Sequence, residues 1–193
     1  MTSELAFPPG LIMVLGAMLI PFLRGRQRLL LLLGLPLLTL VTVWGLPGDV
    51  SLKVGFLDYM LEPVRSTAEG RLFATIFAIM AFAGGLYAHR QASATELTAA
   101  FVYAGSAIGV TFAGDLLTLF VFWELTSITS FLLIGYWKHL PEGRQGARMA
   151  LAVTGAGGLA MIGGMLILGQ IAGSYDLSVI LQNREAIQAD PMY

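Results

Sequence analysis

Leu116 to Trp137 reads LLTLFVFWELTSITSFLLIGYW, and Glu124 is the only charge in it. A membrane span needs about 20 predominantly apolar residues, so this stretch qualifies. An ionisable side chain at mid-span costs on the order of 3 kcal/mol on insertion scales, and more if it stays charged in dry surroundings. It needs water, a partner, or a proton that comes and goes, which is why acids inside spans mark ion and proton routes. Glu124 is therefore the candidate proton-transfer residue. Ser127 lies one helical turn on, placed to contact the carboxyl or to hold a water against it. Thr126, Thr129 and Ser130 add hydroxyls on other helix faces. The competing account is a structural carboxyl, protonated or paired with another helix to fix packing.

The rest of the chain fits a membrane setting. It has 193 residues, 56% hydrophobic and 12% charged, with a mean hydropathy of +0.77. Soluble domains carry about a quarter charged residues. Here the charges sit in short clusters between apolar runs. The formal net charge of −1 leaves no basic face for a nucleic acid. The absence of cysteine excludes disulfides, thiolate-held iron–sulfur clusters and covalent haem. No cofactor is expected. Two isolated histidines, His89 and His139, make no metal site.

The expected fold is an all-α polytopic membrane bundle of about six spans plus a C-terminal amphipathic segment. The spans are Leu5 to Leu23, Leu29 to Leu46, Leu72 to Ala88, Leu97 to Ala113, the Glu124 segment, and Met149 to Gly173. Residues 5–46 form the first two helices and 47–71 an external loop whose VSLKVGFLDYML portion alternates like a short hairpin. Residues 72–173 form a four-helix core, and 174–193 an amphipathic tail in which Leu177, Ile180, Leu181 and Ile187 recur near helical spacing. The opening MTSELAFPPG lacks the basic n-region of a cleaved signal, so the first run reads as a retained helix.

Of the eleven Lys and Arg residues, Arg24, Arg26, Arg28, Arg90, Lys138, Arg144 and Arg148 fall on the first, third and fifth connections. Positive-inside counting puts these connections in the cytoplasm and the N-terminus outside it, in a multi-pass protein of the cell inner membrane. The trio Arg24, Arg26 and Arg28 reads as a topology determinant rather than a lipid-binding patch. Asp115 is placed to cap the Glu124 helix, and Trp123 reads as packing. Gly155, Gly157, Gly158, Gly163, Gly164 and Gly169 read as close-approach surface on the sixth helix, as do Gly105 and Gly109 on the fourth. His89 and His139 terminate spans beside Arg90 and Lys138, and His139 is also a candidate for cytoplasmic proton entry.

The run FAGDLLTLFVFWELTSITSFLLIGYWKH, followed by ARMALAVTGAGGLAMIGGMLILG, resembles the antiporter-like subunits of multisubunit Mrp-type cation/proton antiporters. These are relatives of the proton-pumping membrane subunits of respiratory complex I. The likeness covers Thr95 to Tyr193, and the YWKH ending is similar to the large A-type subunit. The earlier part, with FAIMAFAGGL, suits a D-type subunit equally. The resemblance implies that Glu124 belongs to a buried charge chain, coupled to a lysine on a later, broken helix. It also implies other subunits as partners, with protons and Na+ or another monovalent cation as cargo. Complex I subunits often carry Arg and Asp where this chain has Gly155 and Gly158, which favours the Mrp side. Family members continue into further helices in two inverted repeats. The expectation is thus the front part of a longer protein, or a split subunit completed by another chain.

The functional expectation is an ion-translocating subunit in which the protonation of Glu124 follows a neighbouring positive charge. Burial favours a neutral carboxyl and an approaching cation favours a carboxylate. The alternatives are a structural assembly subunit without its own ion path, or a membrane subunit of a redox-driven pump of the complex I or membrane-hydrogenase type. The topology is open to single-cysteine labelling on this cysteine-free chain: the Asp115 end should react only with reagent added outside the cytoplasm. Labelling of that end from the cytoplasm would reverse the assignment.

Overall fold

The computed structural model describes residues 7–48, 50–57, 59–136 and 140–183. The element order is α1 (Pro9–Ala17), a 3-10 turn (Ile20–Phe22), α2 (Gly25–Gly45), β1 (Ser51–Phe56), β2 (Tyr59–Arg65), α3 (Ala68–Ala88), α4 (Ala94–Phe112), α5 (Leu116–Gly135), α6 (Pro141–Ala172) and α7 (Leu177–Gln182). The helical membrane bundle expected from the sequence is the observed architecture. The alternating VSLKVGFLDYML segment forms the antiparallel β1–β2 hairpin, with an irregularity between Leu52 and Val54.

Among the described residues, four helices, α2, α3, α5 and α6, are long and apolar enough by themselves to cross a membrane. The expected count of six is met only in part, for two physical reasons. The apolar helix at the N-terminus runs only from Pro9 to Phe22, because Pro21 has no N–H with which to continue the α-helical ladder. The other exception, α4, is wrapped by protein. Its Leu97, Phe101, Val102, Ser106, Ile108 and Phe112 are buried, and it packs on α1, α3 and α5. A helix clothed by other helices does not need the apolarity that lipid demands.

Local chemistry sets the helix ends. Thr67, Ser93 and Asp115 cap α3, α4 and α5 by accepting from the N–H groups of Gly70, Glu96 and Thr118. Gly173, at φ +66°, ends α6 in the left-handed conformation that glycine adopts freely. At 32 residues α6 extends about 48 Å, well past a hydrocarbon core of about 30 Å. Its first turns, with Glu142, Arg144 and Arg148, therefore lie beyond the apolar part.

Backbone approach holds the bundle together. A Cβ on Gly10 of α1 would lie 2.6 Å from Gly105 O, and one on Gly105 would lie 2.9 Å from Gly10 O. The small residues of α4 therefore seat α1 directly on its backbone. On α2, Pro36 leaves Leu32 O without its helical donor. Gly85 of α3 approaches that carbonyl, with its missing Cβ 3.4 Å away. Trp44 donates its indole N–H to Thr75 Oγ1 at 3.1 Å and ties the other end of the α2–α3 pair.

A polar clasp closes the end where the hairpin lies. Asp115 is buried; its carboxylate accepts from Thr118 N (2.9 Å), Thr118 Oγ1 (2.6 Å) and, across the fold, Glu62 N (2.7 Å). Arg65 pairs with Glu62 through two hydrogen bonds and donates to Asp176 Oδ1 at 2.7 Å. Lys53 reaches Asp176 Oδ2 at 3.1 Å. Leu116 N to Tyr175 O (3.0 Å) and Leu177 N to Gly114 O (3.1 Å) join the starts of α5 and α7.

Burial pushes the Asp176 carboxyl up, but hydrogen bonds from Arg65, Ser178 N–H and Lys53 outweigh it and hold the group well below the ordinary carboxylate range. The folded value lies below the unfolded one, so the stabilisation is complete above the ordinary aspartate value and fades as pH falls towards the folded value. Asp176→Asn should lower stability in detergent by about 1–3 kcal/mol at pH 7. Thermal unfolding should show its deficit beginning to shrink below about pH 4. A deficit that grows on acidification would show that Asp176 is not the charged anchor.

Candidate functional site

Glu124 lies between two helices because of helical geometry. Phe122 and Glu124 are two residues apart, about 200° around the axis, so they face opposite ways. Phe122 is buried against Gly109 of α4, where a Cβ would overlap the ring. Glu124 turns towards α6, where Gly158 leaves the room it occupies. A Cβ on Gly158 would collide with Glu124 Oε1 and lie 3.0 Å from its Cδ. The antiparallel register makes the match. Near the connection Gly135 lies opposite Ala147, with Gly135's missing Cβ 3.7 Å from the alanine methyl. Eleven residues along each helix, about three turns, bring Glu124 opposite Gly158.

Glu124 Oε1 is buried and has no hydrogen-bond partner among the described residues. An unsatisfied buried polar atom costs about 1–3 kcal/mol, more for a charged group, and calls for a functional or structural reason. The surrounding hydroxyls do not supply a partner. Thr126 Oγ1 donates to Phe122 O (2.9 Å), Ser127 Oγ to Trp123 O (3.1 Å) and Thr129 Oγ1 to Leu125 O (2.7 Å). Each is used one turn back on its own helix, the usual alternative for Ser and Thr within a span. The Ser127–Glu124 contact that the spacing suggests is therefore not made in this structure. Both residues share the helix, but the nearer acceptor for Ser127 is its own backbone.

His139, the candidate proton-entry residue, lies outside the described residues, as do Trp137 and Lys138. His89 is placed at the far end from the clasp, its Nδ1–H donating to Leu86 O at 2.7 Å. Asp115 performs the capping expected of it. Trp123 lines a small apolar groove with Phe73, Phe77 and Val110. The glycine surface of α6 is only partly used. Gly158 meets Glu124 and Gly169 meets Tyr175, whereas Gly155, Gly157, Gly163 and Gly164 have no described atom within the reach of a Cβ.

Two features escape sequence reasoning. The special role of Gly158 depends on the α5–α6 register, which no spacing within either helix reveals. The Glu62–Arg65–Asp176–Lys53 cluster joins residues far apart in the chain. Its one local signal is the opposite charge of Glu62 and Arg65.

The crossing of α5 and α6 thus sets Glu124, its Oε1 buried and without a described partner, opposite a glycine. The family described as "NADH:quinone oxidoreductase/Mrp antiporter, TM" matches residues 113–192 of this chain. A Rhizobium meliloti (strain 1021) protein, named as a probable K(+)/H(+) antiporter subunit of the A/B type, is 56% identical over 91 residues, which are 47% of this chain and 9% of that protein. A chain in the Mrp complex from Dietzia sp. DQ12-45-1b superposes with a TM-score of 0.81 at 26% identity, over 100% of this chain and 22% of its own. A chain of respiratory complex I from Thermus thermophilus shares the fold, with a TM-score of 0.75 at 20% identity over 90% of this chain and 38% of its own. This chain thus spans a small part of the proteins it matches.

The Glu124–Gly158 contact can be read from a double-mutant cycle. Gly158→Ala should destabilise the bundle by about 1–3 kcal/mol through overpacking. On a Glu124→Ala background most of that cost should vanish, because the colliding carboxylate is gone. Thermal unfolding of the four proteins measures the coupling, and strictly additive costs would place Glu124 away from Gly158.

Proposed function

We propose that this chain is the front portion of an ion-translocating subunit in a cation/proton antiporter complex of the cell inner membrane, with Glu124 as its proton-transfer residue. The observation that carries the reading is the buried Glu124 Oε1, within a span and without a described partner. A carboxyl that is purely structural gains from a donor that satisfies it. One that exchanges protons must be reachable by a mobile donor at some stage of the cycle. The likeness to proteins named for antiporter complexes supports the same direction. Protons and a monovalent cation, Na+ or K+, are the proposed cargo. In the proposed cycle Glu124 holds a proton and answers to a nearby cation by turns, and coupling arises from that alternation. Ser127 has a secondary part, to hold a water when its hydroxyl leaves Trp123 O. His139 would feed protons from the cytoplasmic end, on which the N-terminus does not lie.

A second reading, an assembly subunit without its own ion path, draws on the four α6 glycines that meet no described residue. Glycine faces in spans are suited to helix association. Redox-driven coupling enters through the fold shared with complex I.

One variant separates transport from assembly. Glu124→Gln keeps the shape of the side chain and removes its acid. In the assembled complex it should bring cation-driven proton movement in vesicles down to background, while native gels show the complex intact. Wild-type exchange would remove Glu124 from the route. A lost complex would favour the assembly role.

A further inference from the structure

At the end opposite the clasp, the start of α2 and the residues that close α3 border an open cavity of about 340 Å³. Gly25, Arg26, Arg28 and two leucines line it from α2, and His89 and Arg90 from α3. No carboxylate is among the lining residues, and the ion pairs among the described residues involve only Lys53 and Arg65 at the other end. Three guanidinium groups thus share a hollow with no counter-charge among the described residues that line it.

Further details suit the hollow to an anion. The N-cap residue of α2, Arg24, makes no side-chain cap bond, so the first N–H groups of a 21-residue helix are uncapped. Such a terminus carries a partial positive charge that favours phosphate. Arg28 Nε donates to Leu23 O at 3.0 Å, which braces its guanidinium across the turn before α2. His89 uses Nδ1 on Leu86 O, leaving Nε2 without a described partner. The remaining wall is apolar, from Leu29 and Leu32. Beside it the outer surfaces of both helices expose Leu30, Leu86 and Tyr87.

We propose that this cavity binds the phosphate of an anionic phospholipid, with the acyl chains lying on the apolar flanks of α2 and α3. Arginine forks match phosphate oxygens in bidentate geometry, and basic hollows between spans at the headgroup level suit anionic lipids. Positive-inside topology accounts for the charge of Arg24, Arg26, Arg28 and Arg90. It does not account for the convergence of Arg26, Arg28, His89 and Arg90 on one hollow. The leucine wall and exposed flanks favour a lipid phosphate over a free one. The site is independent of Glu124.

The test uses the chain purified in detergent together with the subunits it carries, titrated with phosphatidylglycerol, phosphatidylcholine or inorganic phosphate, with adducts counted by native mass spectrometry. One phosphatidylglycerol should bind saturably, about tenfold or more tighter than phosphatidylcholine. Arg26→Gln with Arg90→Gln should remove that preference. Arg144→Gln with Arg148→Gln, at the same end of the bundle but outside the cavity, should leave it unchanged. If the double glutamine variant misfolds by circular dichroism, Arg26→Lys with Arg90→Lys keeps the charge, loses the fork and should weaken binding. Equal affinity for the two lipids, equal loss in the Arg144/Arg148 control, or displacement of the lipid by inorganic phosphate at matching concentration would each overturn the assignment.

Discussion

The structure depends on backbone-to-backbone contact at α4. In a bilayer the solvent is as apolar as the side chains, so burying leucine against leucine contributes little to helix association. Close packing must do it instead, and that needs surfaces without Cβ atoms. Gly10, Gly105 and Gly109 provide this, with α1 pressed on one face of α4 and Phe122 of α5 on another. Because Phe122 is seated there, the opposite side of α5 is committed to α6, and Glu124 comes to lie on that side. The position of the acid follows in part from a glycine of α4 that seats its neighbour Phe122.

The two ends of the bundle solve opposite electrostatic problems. At the hairpin end, Glu62 and Asp115 are buried and Asp176 is partly so, and each is matched by donors: Arg65, Lys53, the Thr118 hydroxyl and backbone N–H groups. Breaking one such match would strand a buried charge, so the network ties the hairpin, α5 and α7 into one unit. The opposite end carries a cavity whose described lining holds three guanidinium groups and no carboxylate. Between the two ends lies one carboxylate oxygen with neither donor nor counter-charge among the described residues. The buried acids of the clasp, by comparison, are satisfied. The contrast within one chain makes Glu124 stand out more than its burial alone would.

Much of the fold was legible in the residues. Helices α2, α3, α5 and α6 are announced by the length of their apolar runs, since only a run of that length can satisfy its backbone across lipid. The caps at Thr67, Ser93 and Asp115 are legible because a short polar side chain before an apolar run has one use there. The hairpin shows as alternation. The expected span count is met in part among the described residues: α4 is less apolar than the other long helices, and it packs on α1, α3 and α5, a setting that spacing along one helix does not reveal. Ser127 illustrates a similar limit. One helical turn brings it near Glu124, but its hydroxyl has an equally near acceptor in Trp123 O, and spacing does not choose between them.

By itself the sequence determined the membrane class, the approximate spans and the one acid whose burial demands explanation, because each follows from the cost of placing polar groups in hydrocarbon. The tertiary structure alone decided what that acid faces. The register of α5 against α6 sets Glu124 on the bare backbone of Gly158, and the folding together of distant ends brings Arg65 to Asp176 and His89 to Arg28. Contacts of that kind depend on how helices cross, a property of the packed bundle that no single helix encodes.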